Sequence, residues 1–285
     1  MEKDSAIKIH ILHTGKVCVS PGLPFRDTIR NPNPVQLSVL THYGRKERIW
    51  IPVSCYLIEH PKGLILFDTG WSREMSPKGV ADKKAQIKHL GLHYFLNQGL
   101  VPEGKAVDEQ LSDMGISASD LDYVILSHMH SDHASGLKLV KDAKKILLSE
   151  EEYSDIHKYA VRYSAGQWKG VKLETFSFEK TGVGPVGKSL DFFGDGSVEL
   201  INIPGHTNGL TAMKVNHNGK YVLLFADGGY AEKSWKELIP PGTALDTDMA
   251  MKSLQWIHDM SLSEDCIESL ANHDSAVKPH VITLD

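Results

Sequence analysis

Residues 127–133 read Ser127-His128-Met129-His130-Ser131-Asp132-His133 and follow directly on an apolar run, Tyr123 to Leu126. Three imidazoles and a carboxylate within six residues, at the end of a strand-like segment, form a density that core packing does not explain. In extended backbone, positions i and i+2 share a face about 6.6 Å apart, so His128 and His130 can pinch one ion between them. Asp132 and His133 lie where the chain turns and can aim at a neighbouring second ion. Imidazole suits zinc, iron and cobalt, and carboxylate tolerates zinc, manganese and iron, which makes zinc the default expectation. A structural zinc site would be closed by four protein ligands and normally uses cysteine, which this run lacks. Open, catalytic coordination is expected instead.

The rest of the chain offers a scaffold for such a site. Residues 7–12, 35–40, 49–58 and 64–67 are β-rich runs separated by Pro and Gly, as consecutive strands would be. Segments 145–148, 198–203, 211–215, 221–225 and 266–270 continue that style in the second half. Val107, Leu111 and Met114 fall at i, i+4 and i+7 ahead of Gly115, predicting a short amphipathic helix. Asp246 or Thr247 can cap a second helix whose apolar stripe is Ala250, Leu254 and Ile257, ending near Met260. Strand-rich halves bracketed by helices predict stacked sheets with outer helices. Two segments interrupt the pattern: residues 20–48, opening with a Pro-rich exposed loop over 20–34, and residues 71–104, a partly helical insertion. Both would shape a substrate pocket.

Composition narrows the partners. A length of 285 residues leaves one or two domains open, and an apolar fraction of 41% can bury a large core. The net charge of -5 gives no general attraction to nucleic-acid phosphates or anionic lipid. Residues 1–6 carry no apolar leader, and nothing resembles an uninterrupted apolar span of roughly 18 residues, so a cytoplasmic protein free of membranes is expected. Cys18, Cys55 and Cys266 are odd in number and far apart, predicting free, buried thiols rather than a disulfide framework.

The 127–133 run is similar to the signature of the metallo-β-lactamase superfamily, and further matches occur in the family's order. Phe67-Asp68-Thr69-Gly70 resembles its early Asp-Thr-Gly strand end, and Pro204-Gly205-His206-Thr207 its third histidine. Phe225-Ala226-Asp227-Gly228 resembles its bridging aspartate, and Asn272-His273-Asp274 its last histidine. The resemblance implies an α/β fold, a four-layer αβ/βα sandwich of two mixed β-sheets flanked by helices, forming one domain over residues 1–285. It also implies two divalent metal ions, with His128, His130 and His206 on the first, Asp132, His133 and His273 on the second, and Asp227 bridging both. Asp68 would orient the histidine loop from behind through hydrogen bonds. His258 in Trp256-Ile257-His258-Asp259 competes with His273; the latter is preferred because it follows a strand end, whereas His258 sits within the amphipathic helix. His157 and His217 are expected to be solvated.

A narrower resemblance begins at Ala226-Asp227-Gly228-Gly229-Tyr230, which looks like the Ala-Asp-x-x-Tyr of the N-acyl-homoserine lactonase branch. The run Ile51-Pro52-Val53-Ser54-Cys55-Tyr56-Leu57-Ile58 is likewise similar to the start of that branch. The resemblance implies hydrolysis of a small lactone or similar carboxylic ester, with Tyr230 assisting the substrate carbonyl and Asp132 carrying a proton to the leaving oxygen. It also makes a homodimer plausible. Residues 20–48 and 71–104 give no clear match to the lactonases, so the scissile bond is better defined than the substrate. The enzymatic alternative is a thioesterase of the hydroxyacylglutathione type, which shares the seven ligands but normally adds a carboxyl-terminal helical domain. The non-enzymatic alternative is a metal-binding scaffold. An exported β-lactamase would often carry cysteine where Asp227 stands, a redox diiron protein would carry glutamate where His130 stands, and nuclease members usually add nucleic-acid-binding modules.

Overall fold

The computed structural model describes residues 6–26 and 48–285. The strand expected at 35–40 and most of the 20–48 segment therefore lie outside the described residues. The described strands are β1 (Ile7–Val19), β2 (Ile49–His60), β3 (Gly63–Phe67), β4 (Gln98–Leu100), β5 (Tyr123–Ile125), β6 (Lys145–Ser149), β7 (Glu174–Phe176), β8 (Ser189–Asp191), β9 (Val198–Asn202), β10 (Thr211–His217), β11 (Lys220–Leu224), β12 (Cys266–Leu270) and β13 (Val281–Leu284). One sheet runs β13-β1-β2-β3-β5-β6-β7, with β4 paired to β1, and the other runs β12-β11-β10-β9-β8. Both are mixed: β3, β5, β6 and β7 pair in parallel, as do β11 and β12, and the remaining pairs are antiparallel.

The burial pattern shows why the strands read as unbroken apolar runs. Ile51 to Ile58 of β2 are all buried, so both faces of that strand are covered. Side chains alternate between the two faces. Tyr56, Ile58, Ile65 and Phe67 meet Leu200, Met213, Val222 and Leu224 in the core between the sheets. The neighbouring Leu57, Leu66, Val124 and Leu126 point outward, where Val107 and Leu111 of a helix at Val107–Asp113 pack on them. On the far side, Ile201, Leu223 and Phe225 are covered by Leu254 and Ile257 of a helix at Thr247–Ser261. Helix, sheet, sheet and helix form four layers, as the sequence predicts.

Some elements differ from the sequence reading. The first strand runs to Val19 rather than residue 12 because Gly15 adopts φ +115°, where the pairing register shifts. A β-carbon there would lie 2.2 Å from Leu100 O, so β4 can approach only a glycine. The 71–104 insertion holds a helix at Lys83–Leu90 and β4, and its Trp71, Met75, Leu90 and Tyr94 pack with Val17 and Val53 as a core cluster. Cys18 and Cys55 are buried and free; Cys266 is free but only half-buried. His157 is exposed as expected, whereas His217 is half-buried at the end of β10. Among the described residues, no helix is long and apolar enough to cross a membrane.

The sheets share one geometric property that decides where chemistry can occur. Asp68 follows β3, His128 follows β5, His206 follows β9, Asp227 follows β11 and His273 follows β12, each just beyond the strand's carboxyl end. One edge of the sandwich therefore gathers them. The two parts of that edge contributed by the first sheet touch at Gly136, whose N–H donates to Gly70 O at 3.0 Å. A β-carbon on Gly136 would sit 2.2 Å from Thr69 O. Gly136→Ala is therefore expected to destabilise the protein by about 1–3 kcal/mol. Denaturant unfolding would show this as a lower midpoint, and an unchanged midpoint would mean that the corner yields freely.

Candidate metal centre

The His-rich run leaves β5 in extended form and then enters a one-turn helix at Ser131–Ala134, with His130 at its amino-terminal cap. That change of direction separates the run into two groups. His128, His130, His206 and Asp227 can present atoms lying within 4.8 Å of one another, and so can Asp132, His133 and His273. His130 Nδ1 lies 3.1 Å from His128 Nε2 and 2.8 Å from His206 Nε2. Asp132 Oδ2 lies 3.6 Å from His273 Nε2. Between the groups stands Asp227. Its Oδ2 is 3.4 Å from His206 Nε2 and 3.9 Å from His128 Nε2, and its Oδ1 is 3.2 Å from His133 Nε2 and 3.1 Å from His273 Nε2. All seven residues singled out in the sequence converge. His258 does not join them, because its Nδ1–H donates to Trp235 O at 2.8 Å on the helix Thr247–Ser261.

Hydrogen bonds behind the rings decide which nitrogens face the centre. His133 Nδ1–H donates to Asp68 Oδ2 at 2.8 Å, and His273 Nδ1–H donates to Pro52 O at 2.8 Å, which turns both Nε2 atoms inward. Ser127 Oγ donates to Asp68 Oδ2 at 2.8 Å and is left to accept from His128 Nδ1–H at 3.1 Å. Asp68 also accepts from Ser127 N–H and from Asn272 Nδ2, each at 2.8 Å. One buried carboxylate thus joins the His128–His133 run to the His273 segment. Asp68 holds φ at +62°, a strained conformation for a residue with a β-carbon, and it persists because so many bonds fix it.

Charge and burial fit a cation. His133 Nε2, His273 Nε2 and Asp227 Oδ1 are buried with no hydrogen-bond partner, although they stand close together. Buried polar atoms are normally satisfied, so an unpaired group of donor-capable and acceptor atoms aimed at one point suits a bound ion. Burial alone would raise the Asp227 carboxyl, but His133 and His273 outweigh it and hold the group well below the usual carboxylate range. Burial would likewise lower His133, yet Asp227 and Asp68 raise it well above an ordinary imidazole. Burial leaves His128 well below its ordinary value and His206 at about 3, so both are neutral at pH 7 with lone pairs free for a metal. The cluster is thus compatible with divalent metal binding.

Tyr230 stands over this centre. Its ring stacks on His273 at 5.0 Å with an 18° tilt, and burial followed by the charges of Asp227 and Asp132 pushes the phenol well above its ordinary value. It remains protonated and able to donate.

Several supports were not singled out in the sequence. Glu152 lies in the first turn of the helix Glu150–Lys158 within Glu150-Glu151-Glu152, a run that looks like a solvated acidic face. Yet it is fully buried, and its Oε1 accepts the Met129 N–H at 2.9 Å, between the first two histidines. From the same helix, Asp155 accepts from Asn208 N–H at 2.7 Å and Asn208 Nδ2 at 2.8 Å, two residues beyond His206. Ser149 Oγ, at the cap, donates to Gly209 O at 2.9 Å. One helix end therefore braces the loops from both sheets. A capping Ser149 followed three residues later by a glutamate was the available sequence sign.

Comparison with known proteins agrees with this geometry. A family model described as the metallo-beta-lactamase superfamily matches residues 48–256, and the chain belongs to that family. It is 26% identical over 224 residues to the N-acyl homoserine lactonase AttM of Rhizobium radiobacter, covering 75% of this chain and 79% of that one. An N-acyl homoserine lactonase of Bacillus sp is 26% identical over 219 residues, covering 76% and 80%. Among solved structures, an N-acyl homoserine lactone hydrolase with the product N-hexanoyl-L-homoserine bound at its catalytic metal centre superposes with a TM-score of 0.71 at 19% identity, covering 94% of each chain. That similarity shows the fold.

Burial raises the Glu152 carboxyl from 4.5 to about 7, against the opposing hydrogen bonds from Thr207 and Met129. The folded protein therefore holds this proton more tightly than the unfolded chain. The stability it contributes is present below pH 4.5 and is lost as pH rises through about 7. Relative to Glu152→Gln, which has no such titration, the wild-type chain should lose about 3 kcal/mol across that interval. Thermal unfolding of both from pH 5 to 8 would reveal the divergence, and parallel profiles would contradict it.

Proposed function

We propose that this protein is a dinuclear metal hydrolase that opens a lactone or similar carboxylic ester, with N-acyl-homoserine lactones as its first substrate class. The observation that carries the proposal is the division of Asp227, whose Oδ2 faces His128 and His206 while Oδ1 faces His133 and His273. A carboxylate shared in that way suits two neighbouring cations rather than one. His128, His130 and His206 would hold the first ion, Asp132, His133 and His273 the second, and Asp227 both, with zinc the default metal for these donors. Bound there, two divalent ions supply Lewis acidity, which brings the pKa of water toward neutrality and polarises a carbonyl oxygen.

The chain's own groups define the remaining chemistry. Tyr230, kept protonated by burial and by Asp227 and Asp132, can donate its phenolic proton in a hydrogen bond to the oxygen that gains charge as the substrate carbonyl becomes tetrahedral. Asp132, whose Oδ2 lies 3.6 Å from His273 Nε2 at the centre, is placed to pass a proton to the leaving alkoxide. Asp68 keeps His133 in the tautomer that points Nε2 at the centre, and Pro52 O does the same for His273. The relatives named as lactonases support the lactone substrate class over the thioester alternative.

The direct experiment measures metal content and then turnover of a short lactone, a long-acyl homoserine lactone and a glutathione thioester. Preference for the thioester would overturn the substrate class. Asp227→Asn should lose one metal equivalent and most turnover, since the shared anionic ligand is removed; full activity with both metals retained would defeat its bridging role. Tyr230→Phe should keep the metal content while slowing lactone turnover about tenfold or more. An unchanged rate would remove the phenol from the mechanism.

A further inference from the structure

One strongly basic side chain beside the centre has no part in the assignments above. Arg162 lies in a single 3-10 turn at Ala160–Arg162, just after the helix Glu150–Lys158. Its Nη2 donates to His206 O at 3.0 Å and to Thr243 O at 3.1 Å, so the guanidinium is tied to the backbone of a cluster residue. The next residue, Tyr163, places its ring 5.4 Å from that of His130. His130 is also the partly exposed histidine of the cluster, while His128, His133, His206 and His273 are buried, and Arg162, itself partly exposed, stands against the backbone of His206 beside it. The turn itself is held in place, because His93 contacts Ser164 Oγ and Val161 O, each at 2.7 Å.

Arg162 stands without an anionic partner among the described residues. Its hydrogen bonds to the described residues are those to the two carbonyls, with no carboxylate among them, and its Nε is buried with no acceptor. Of the acidic groups near Tyr163, Glu152 accepts the Met129 N–H through Oε1 and Asp155 is held by Asn208 through both oxygens. A guanidinium carries five N–H donors, and the two backbone carbonyls use only those of Nη2. Its charge also reaches the centre: burial chiefly lowers His130 and His206, and Arg162 adds to both effects, while at Tyr230 it opposes the rise caused by burial.

We propose, resting on the hydrolytic reading of the centre, that Arg162 is an anion subsite at its mouth, selecting ester or lactone substrates that carry a carboxylate apart from the scissile carbonyl. With Nη2 committed to the two carbonyls, the Nη1 donors and the fixed positive charge remain for a carboxylate, and the partial exclusion of water beside buried rings strengthens the pairing. Fixing by two carbonyls spares the ordering cost that a free arginine would incur on binding.

The test uses the metal-loaded full chain and linear dicarboxylates, succinate, glutarate and adipate, each compared with the monocarboxylate of equal carbon number by calorimetry. At one of these lengths the wild-type protein should bind the dicarboxylate about tenfold more tightly or better, and Arg162→Gln should abolish that preference while leaving monocarboxylate affinity and metal content unchanged. Arg162→Lys should restore part of it. No preference at any length in the wild-type protein would overturn the subsite. Equal weakening of both ligand types in Arg162→Gln would also overturn it, marking the arginine as support for His206 or as a holder of the carboxylate made by hydrolysis. Turnover of aryl esters, one neutral and one bearing a terminal carboxylate, separates the two readings. A binding preference retained without hydrolysis of either ester sinks the hydrolytic reading and leaves the anion site standing, whereas hydrolysis of both without preference does the reverse.

Discussion

The attraction of the buried Asp227 carboxylate for positive charge is the constraint on which the rest of this structure depends. A lone carboxylate taken out of water is costly, and the cost is offset only by close, well-placed partners. Here those partners are four imidazoles from three different segments, held with their nitrogens turned toward it. Everything around the centre can be understood as fixing those rings. Asp68, Asn272 and Pro52 orient the second group, and Ser127 orients His128, while Glu152 and Asp155 brace the loops that bear His130 and His206.

The two mixed sheets solve the accompanying problem of access. Backbone at the carboxyl ends of strands is free to turn, so short loops there can aim side chains at a common point while the strands beneath remain packed. β3 and β5 in one sheet and β9, β11 and β12 in the other release Asp68, His128, His206, Asp227 and His273 at one edge. The close approaches at Gly70 and Gly136 bring the first sheet's corner against the histidine run, with Thr69 N–H and Oγ1 both donating to His133 O. Family membership, shown by the match over residues 48–256, makes this arrangement one instance of a fold shared by lactonases and other metal-dependent hydrolases.

Much of the site was legible in the chain because metal-binding residue types are chemically distinct and cluster around strand ends. His128, His130, Asp132 and His133 announced themselves by density, and His273 was separable from His258 because one follows a strand and the other lies on an apolar helix face. Glu152 and Arg162 were not legible. Glu152 sits in an acidic run and Arg162 in a mixed one, and the burial or orientation of each is set by residues tens of positions away. The same reason hid β4, β7, β8 and β13, three- or four-residue strands whose existence depends on distant partners rather than on local propensity. The helix at Thr247–Ser261, with its own cap and stripe, needed no such context.

His128, His130 and His133 are anchored on one leaf of the sandwich, whereas His206, Asp227 and His273 are anchored on the other. A cation gripped from both leaves would act as a rivet across the seam, adding cohesion where the apolar filling thins out at the rim. Catalytic competence and mechanical integrity would then be two readings of one occupancy, so an inhibitor that strips the ions would loosen the architecture as well as silence the chemistry.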